Sequence, residues 1–204
     1  MKRNLVQELK EEYGRSAKAK LLDVSDGVFL AADGKGAPDS EVYQDRIGAL
    51  YGMAYTIKFA CKQREQDFVV GKLEGIYAEG VPMMEFVQQP KEEWVWTMMI
   101  RMPEFVTQED VVAAREILLK KGKTEDFSTV ELREIQEGRC VQMLHVGPYE
   151  NEGETGDKMI AFCEERGLQP TRWHHEIYLS DPRRVPPEKL KTLFRFPIIE
   201  KETK

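Results

Sequence analysis

The run Trp173-His174-His175-Glu176-Ile177-Tyr178-Leu179-Ser180 sets a carboxylate between an imidazole and a phenol in an otherwise apolar stretch. Gly167 and Pro170 bound it on one side and Asp181-Pro182 on the other, a length and flanking pattern that predict one β-strand. Side chains alternate between the two faces of a strand. Trp173, His175, Ile177 and Leu179 therefore share a face that reads as core, and His174, Glu176, Tyr178 and Ser180 share the other. If that second face is open, Glu176 simply meets water. If it is covered, an ionised carboxylate is costly unless paired, and functional sites are where proteins tolerate that cost.

A second strand, Trp94-Val95-Trp96-Thr97-Met98-Met99-Ile100-Arg101, puts Trp94, Trp96, Met98 and Ile100 on one face. Two indoles supply stacking area and N–H donors, although such a face is more often core than binding wall. Tyr77 and the loop pair Met83-Met84 are candidates to extend that wall, since thioethers adapt to irregular ligands. Tyr149, in His145-Val146-Gly147-Pro148-Tyr149, ends a strand just before a helix. There its phenol either donates into a cleft or packs over the turn. His174 and His175 point to opposite faces and His145 is distant in sequence, so no metal site is expected. There is no G-x-S-x-G elbow and no phosphate-cradling glycine loop, and no cofactor is expected.

The elements that carry these residues follow a repeated order. Residues 20–31 read as a strand stopped by Asp33-Gly34-Lys35-Gly36, and from Glu41 to about Arg64 the apolar period turns helical through Tyr43, Ile47, Leu50, Ala54, Ile57 and Cys61. Strands over 68–78 and 94–101 complete a β-α-β-β series. Thr107, with Asp110 three residues on, starts a connecting helix that closes at Gly122. Residues 129–136 and 139–146 read as strands joined by a Glu137-Gly138 hairpin. A helix over 153–166, the Glu176 strand and a last strand over 193–199 then repeat the series. The expected fold is α+β: duplicated β-α-β-β modules forming antiparallel sheets, with a ligand cleft between the halves and the helices on the side away from it. One domain is expected over 1–204, with modules over 18–103 and 127–199 and the connector helix over 107–121.

The 204 residues, 41% hydrophobic and 32% charged, describe a soluble globular chain with a net charge of -6. That charge argues against direct nucleic-acid binding, which needs clustered Lys and Arg. Three cysteines with no C-x-x-C spacing fit a reducing compartment. The charged start and the lack of a long apolar window predict a cytoplasmic protein that does not enter membranes. Composition leaves a monomer and a homodimer equally open.

Four blocks carry a resemblance: Tyr55-Thr56-Ile57-Lys58-Phe59, residues Trp94 to Ile100, His145-Val146-Gly147-Pro148-Tyr149, and His174-His175-Glu176-Ile177-Tyr178-Leu179-Ser180-Asp181-Pro182-Arg183-Arg184. From about Lys18 to Pro197 the chain resembles the GyrI-like small-molecule-binding family, in its stand-alone branch. The resemblance implies paired β-α-β-β modules around a ligand cleft, akin to the effector-binding halves of multidrug-responsive regulators. It implies a buried Glu, here Glu176, among aromatics, receiving lipophilic compounds that are cationic or electrophilic. Some stand-alone members are cyclopropanoid cyclopropyl hydrolases, which detoxify DNA-alkylating compounds by opening a strained ring. Others only bind drugs or inhibit DNA gyrase, and these remain the alternatives. Carried onto this chain, Glu176 would be the general base. Tyr149 or Tyr178 would hydrogen-bond the substrate oxygen, and Trp94, Trp96, Tyr77, His174 and Met83 would line the pocket. Tyr77 stands where this branch would carry a Trp.

Overall fold

A computed structural model describes residues 2–78, 86, 88–171 and 173–201. Among them are four α-helices, α1 (Leu5–Glu8), α2 (Glu41–Gln63), α3 (Gln108–Lys120) and α4 (Glu152–Glu164). The strands are β1 (Lys20–Val24), β2 (Gly27–Lys35), β3 (Leu73–Tyr77), β4 (Val95–Met102), β5 (Glu131–Ile135), β6 (Gly138–Val146), β7 (Leu168–Pro170), β8 (His174–Tyr178) and β9 (Lys191–Glu200). All of them join one open antiparallel sheet in the order β1-β6-β9-β8-β3-β4-β2-β5, and β7 pairs the far end of β9. The fold is α+β.

The repeat is visible in the pairing. β2-α2-β3-β4 lie in the sheet as β3-β4-β2, and β6-α4-β8-β9 lie as β8-β9-β6. The two series therefore meet at the β3–β8 pair, where Gly75 faces Glu176 and Tyr77 faces His174. α2 starts at Ser40, whose hydroxyl accepts from the Tyr43 N–H, and packs Leu50, Met53, Ala54 and Ile57 onto Trp96, Met98 and Ile100. Each fully buried large apolar side chain of this kind contributes about 1.5–3 kcal/mol. α3 starts at Thr107, whose N–H donates to Asp110, and lays Val111, Ala114 and Leu118 into the same core. α4 packs Met159 and Cys163 onto Val141, Phe194 and Phe196, a second core on the same face.

The three long helices and Glu176 thus share one face of the sheet, whereas the sequence pattern suggests a cleft on the opposite side. The reason is register: Met98, Gly75, Glu176 and Phe194 form one cross-strand row, and that row faces the helices. The far face is covered instead by the N-terminal segment, where Val6, Leu9 and Tyr13 pack on Ile177 and Leu193.

The expected Glu137-Gly138 hairpin does not form. β5 pairs β2 near one end of the sheet, while β6 pairs β1 and β9 near the other. The connection between them crosses the far face, and Gly138, with φ of 66°, turns it there. The expected first strand is likewise two, β1 and β2, which are not neighbours in the sheet.

Candidate functional site

Sheet register brings the site together. Gly34, Trp96, Tyr77 and His174 form one row across β2, β4, β3 and β8. A Cβ on Gly34 would collide with the Trp96 indole, so the glycine is what lets that ring lie flat on the sheet. In the adjacent row Gly75 leaves room between Met98 and Glu176. Tyr178, Thr192 and His145 form a third row. α2 stands over one end of these rows and α4 over the other.

Glu176 is 8% exposed and holds both carboxylate oxygens in hydrogen bonds. Tyr178 OH donates to Oε2 at 2.7 Å, and His174 Nε2 donates to Oε1 at 3.0 Å. The Tyr77 and Tyr178 hydroxyls are 2.7 Å apart, and those of Tyr43 and Tyr77 are 3.2 Å apart. Because Tyr178 gives its proton to Glu176, Tyr77 must donate to Tyr178 and Tyr43 to Tyr77. Three phenols thus form an aligned chain that ends on the carboxylate, each bond polarising the next. Burial raises the Tyr77 and Tyr178 hydroxyls well above the ordinary phenol value, and the Glu176 charge adds to the shift. The imidazole of His174 is sandwiched between Tyr77 and Phe194, at centroid distances of 5.2 and 6.1 Å. Its Nδ1 is buried and, among the described residues, has no hydrogen-bond partner.

The turn into α4 closes the opposite side. Tyr149, 37% exposed, meets the Tyr178 ring edge-on at 6.2 Å. Burial pushes its hydroxyl up to about 12, and the Glu152 carboxyl contributes. His145 anchors the turn: Nδ1 bonds the Thr155 hydroxyl at 2.8 Å, and Nε2 donates to the Pro148 carbonyl at 3.2 Å. Glu152 lies in the first turn of α4 with a buried Oε1 that, among the described residues, makes no hydrogen bond. Burial, then the nearby Glu176 charge, push its carboxyl up to about 10, while the Thr192 hydroxyl opposes the shift. Burial and the Glu176 charge both favour the protonated form of Glu152.

Directly behind the site, on the far face, His175 is fully buried between two carboxylates. Nδ1 lies 3.0 Å from Glu137 Oε1, and Nε2 lies 2.9 Å from Glu74 Oε2, close but out of line for a hydrogen bond. Burial alone would push the imidazole down, yet Glu137 and Glu74 push it up to about 9. Arg195 Nη1 donates to Glu137 Oε2 at 2.6 Å, Nε to Gln142 at 2.9 Å, and Nη2 to the Glu12 carbonyl at 2.6 Å. Tyr13 OH donates to Glu74 at 2.8 Å. Burial raises the Glu137 carboxyl, but His175 and Arg195 more than offset it and hold it at about 2. This network clamps β8, the β5–β6 crossing and the N-terminal segment together.

Glu176, His174, Tyr178, Tyr77 and Tyr149 therefore stand in one cluster. Trp94 is half-buried beside them, its ring 4.8 Å from Phe86 and 6.4 Å from Tyr77. Trp96 is 1% exposed, donates its indole N–H to the Gly36 carbonyl, and meets Tyr43 edge-on at 4.9 Å. It backs the cluster from the core. Met83 lies outside the described residues. Tyr43 and Glu152 belong to the cluster without being singled out by the sequence: Tyr43 reads as one more core position of α2, and Glu152 as part of an acidic helix start. An open groove of about 280 Å³ lies on the far face, lined by Glu134, Ile135, Gln136 and Trp173. Glu134 and Gln136 are exposed, so the groove lacks the buried, converging polar groups that mark the Glu176 face.

Among the described residues no helix is long and apolar enough to cross a membrane. Solved structures share the fold over nearly the full chain. A hydrolase from Listeria innocua is 40% identical, with a TM-score of 0.89, over 98% of this chain and 100% of that one. An uncharacterized conserved protein from the same organism is 40% identical, with a TM-score of 0.90, over 97% and 100%. The C-terminal domain of EcmrR, 11% identical, matches at a TM-score of 0.56 over 90% and 98% and is alike in fold alone. No curated protein matches the chain. The GyrI-like small molecule binding domain matches residues 29–199, and the chain belongs to that family.

Proposed function

We propose that the Glu176 cluster binds a lipophilic, electrophilic small molecule and hydrolyses it by opening a strained cyclopropane conjugated to a dienone. The observation that carries this reading is the buried Glu176 carboxylate, held on one oxygen by His174 and on the other by the Tyr43–Tyr77–Tyr178 chain. A carboxylate so fixed keeps unused lone pairs that can take a proton from water. Water attacks the methylene carbon and the ring C–C bond breaks. The electron pair passes through the dienone to its oxygen, which becomes a phenolate, and a proton taken up there completes the phenol. General-base help of this kind is typically worth ~10²–10⁴-fold. Tyr149 suits the oxygen-donor role, because Tyr178 already gives its proton to Glu176. The 40% identity to a hydrolase favours catalysis.

A second reading has its own support. Both Glu176 oxygens are already hydrogen-bonded and aromatic rings surround them, the arrangement of a counter-ion for a lipophilic cation. The protein would then sequester ligands without turning them over. Chromatography separates the two readings. The protein is incubated with a cyclopropane-fused dienone and the ring-opened hydroxymethyl phenol is quantified. Product formed no faster than in buffer would leave sequestration standing. A fully active Glu176→Gln enzyme would remove Glu176 as the base.

A further inference from the structure

The first turn of α4 offers the cluster a second carboxyl. Glu152 opens α4 three residues after Tyr149, whose ring meets Tyr178 edge-on, and its Oε1 is buried and, among the described residues, without a hydrogen bond. A buried carboxylate oxygen with no donor is untenable as a charge, whereas a neutral acid there tolerates burial and has an O–H to give. Groups facing Glu152 come from every side. Glu176 and Tyr178 lie on β8 and Thr192 on β9, with Glu150 and Tyr149 in the preceding turn. His145 on β6 is engaged by Thr155 and the Pro148 carbonyl. Among the described residues no cation is in this group to hold Glu152 ionised, and the Glu176 charge opposes it.

We propose that Glu152 is the proton donor of this site: with Glu176 it forms a carboxyl pair that holds a single proton, Glu176 receiving one from the attacking water while Glu152 delivers one to the substrate oxygen that gains charge. The inference rests on the hydrolytic reading above. The step balances. Water's hydroxyl bonds to the methylene carbon, and its other proton goes to Glu176. The electrons of the broken ring bond reach the dienone oxygen, and the Glu152 proton completes the phenol. The pair ends with one proton, as it began, on the other carboxyl. Exchange between the two carboxyls or with solvent restores the starting form. A protonated carboxyl beside a carboxylate lets one site supply an acid and a base at the same pH.

The test compares wild type, Glu152→Gln and Glu176→Gln on cyclopropane-fused dienones whose product phenols differ in acidity. Glu152→Gln should lower kcat ~10²–10⁴-fold on the least acidic phenol, with KM little changed. It should recover most of that loss on a phenol bearing an electron-withdrawing group, which leaves without needing a proton. Glu176→Gln should show no such recovery. Glu152→Gln turning over as fast as wild type, or failing to recover on acidic phenols, would overturn the donor role while leaving hydrolysis intact. No turnover by wild type would instead sink the hydrolytic reading, and the donor role with it. Where Glu152→Gln does not fold, carbon-13 titration of the glutamate carboxyls in the native protein decides. One glutamate should keep its proton up to about pH 10, and glutamates that all titrate below neutrality would refute the pair.

Discussion

His175 and Glu176 are consecutive residues of β8 that face opposite sides of the sheet, and each ends a polar network of its own. His175 is locked between Glu74 and Glu137 against the N-terminal segment, and Glu176 receives Tyr178 and His174 under the helices. The strand that carries the candidate carboxylate is therefore held in place by charges behind it. Second-layer interactions of this sort fix the geometry of the groups in front.

The first expectation is a stability dome in pH. His175 has its folded value raised to about 9, so its contribution is fully present below its ordinary value near 6.5 and is lost as pH rises through about 9. Glu137 is lowered to about 2, so its contribution is present above about 4.5 and is lost as pH falls through about 2. The two shifts describe one shared ion pair and do not add. Each limb should be worth on the order of 3 kcal/mol, since every tenfold change in proton affinity between the folded and unfolded chain is ~1.4 kcal/mol. Urea midpoints from pH 3 to pH 10 check this. A midpoint that does not move between pH 6.5 and 9.5 would show that His175 is not charged in the folded protein.

Glu137→Gln tests the same network by subtraction. It leaves Arg195, 2% exposed, with its other two donors on Gln142 and the Glu12 carbonyl but no countercharge at Nη1. Breaking a buried pair from one side costs ~3–5 kcal/mol, and chemical denaturation should read that loss. The double variant Glu137→Gln/Arg195→Met removes both charges and should recover part of it. A recovery of nothing would mean that Arg195 does not depend on Glu137.

Gly34→Ala should destabilise by about 1–3 kcal/mol, because the new Cβ has the rigid Trp96 indole in its place and not a flexible chain end. Trp96 can yield only by leaving the Gly36 carbonyl and pressing on Tyr43, the first phenol of the chain to Glu176. A changed Trp fluorescence spectrum should accompany the loss. Unaltered stability and emission would mean that the indole does not lie over Gly34.

The sequence reveals the two faces of β8, because strict alternation over residues 173–180 is a local property of the chain. The β-α-β-β repeat and the Thr107–Asp110 helix start are legible for the same reason. What covers each face is not local. Gly75 facing Glu176, and β5 leaving β6 for β2, are choices among distant partners, and Glu137-Gly138 has the composition of a hairpin whichever choice is made. Trp96 reads more readily as core than as wall, and only Gly34 beneath it shows how the ring lies. Glu152 is the least legible residue. In Glu150-Asn151-Glu152-Gly153-Glu154 it resembles any acidic first turn, and only the packing of Tyr149 on Tyr178 brings that turn to the Glu176 strand. A Glu within a turn of a Gly-Pro-Tyr strand end is the one local signal the chain carries.

The last expectation isolates the charge of Glu176. In Glu176→Gln the amide oxygen can still accept from Tyr178, but the amide N–H₂ meets the His174 Nε2–H, donor against donor. His174 can relieve this by moving its proton to Nδ1, which is buried and unpartnered, so the substitution should cost ~1–3 kcal/mol of stability. The ligand effect is separable from that cost. A lipophilic cation loses a charge-assisted contact worth ~1.5–3 kcal/mol, about 10–100-fold in affinity, while a neutral ligand of the same shape loses none of it. Residual cation binding should remain, because the ring faces around the site still attract it by ~0.5–2 kcal/mol. Fluorescence titration of wild type and Glu176→Gln with a matched cationic and neutral pair reads both numbers. Equal losses for the two ligands would mean that Gln disturbed the shape of the pocket, and equal affinities of both proteins for the cation would place Glu176 outside the binding site.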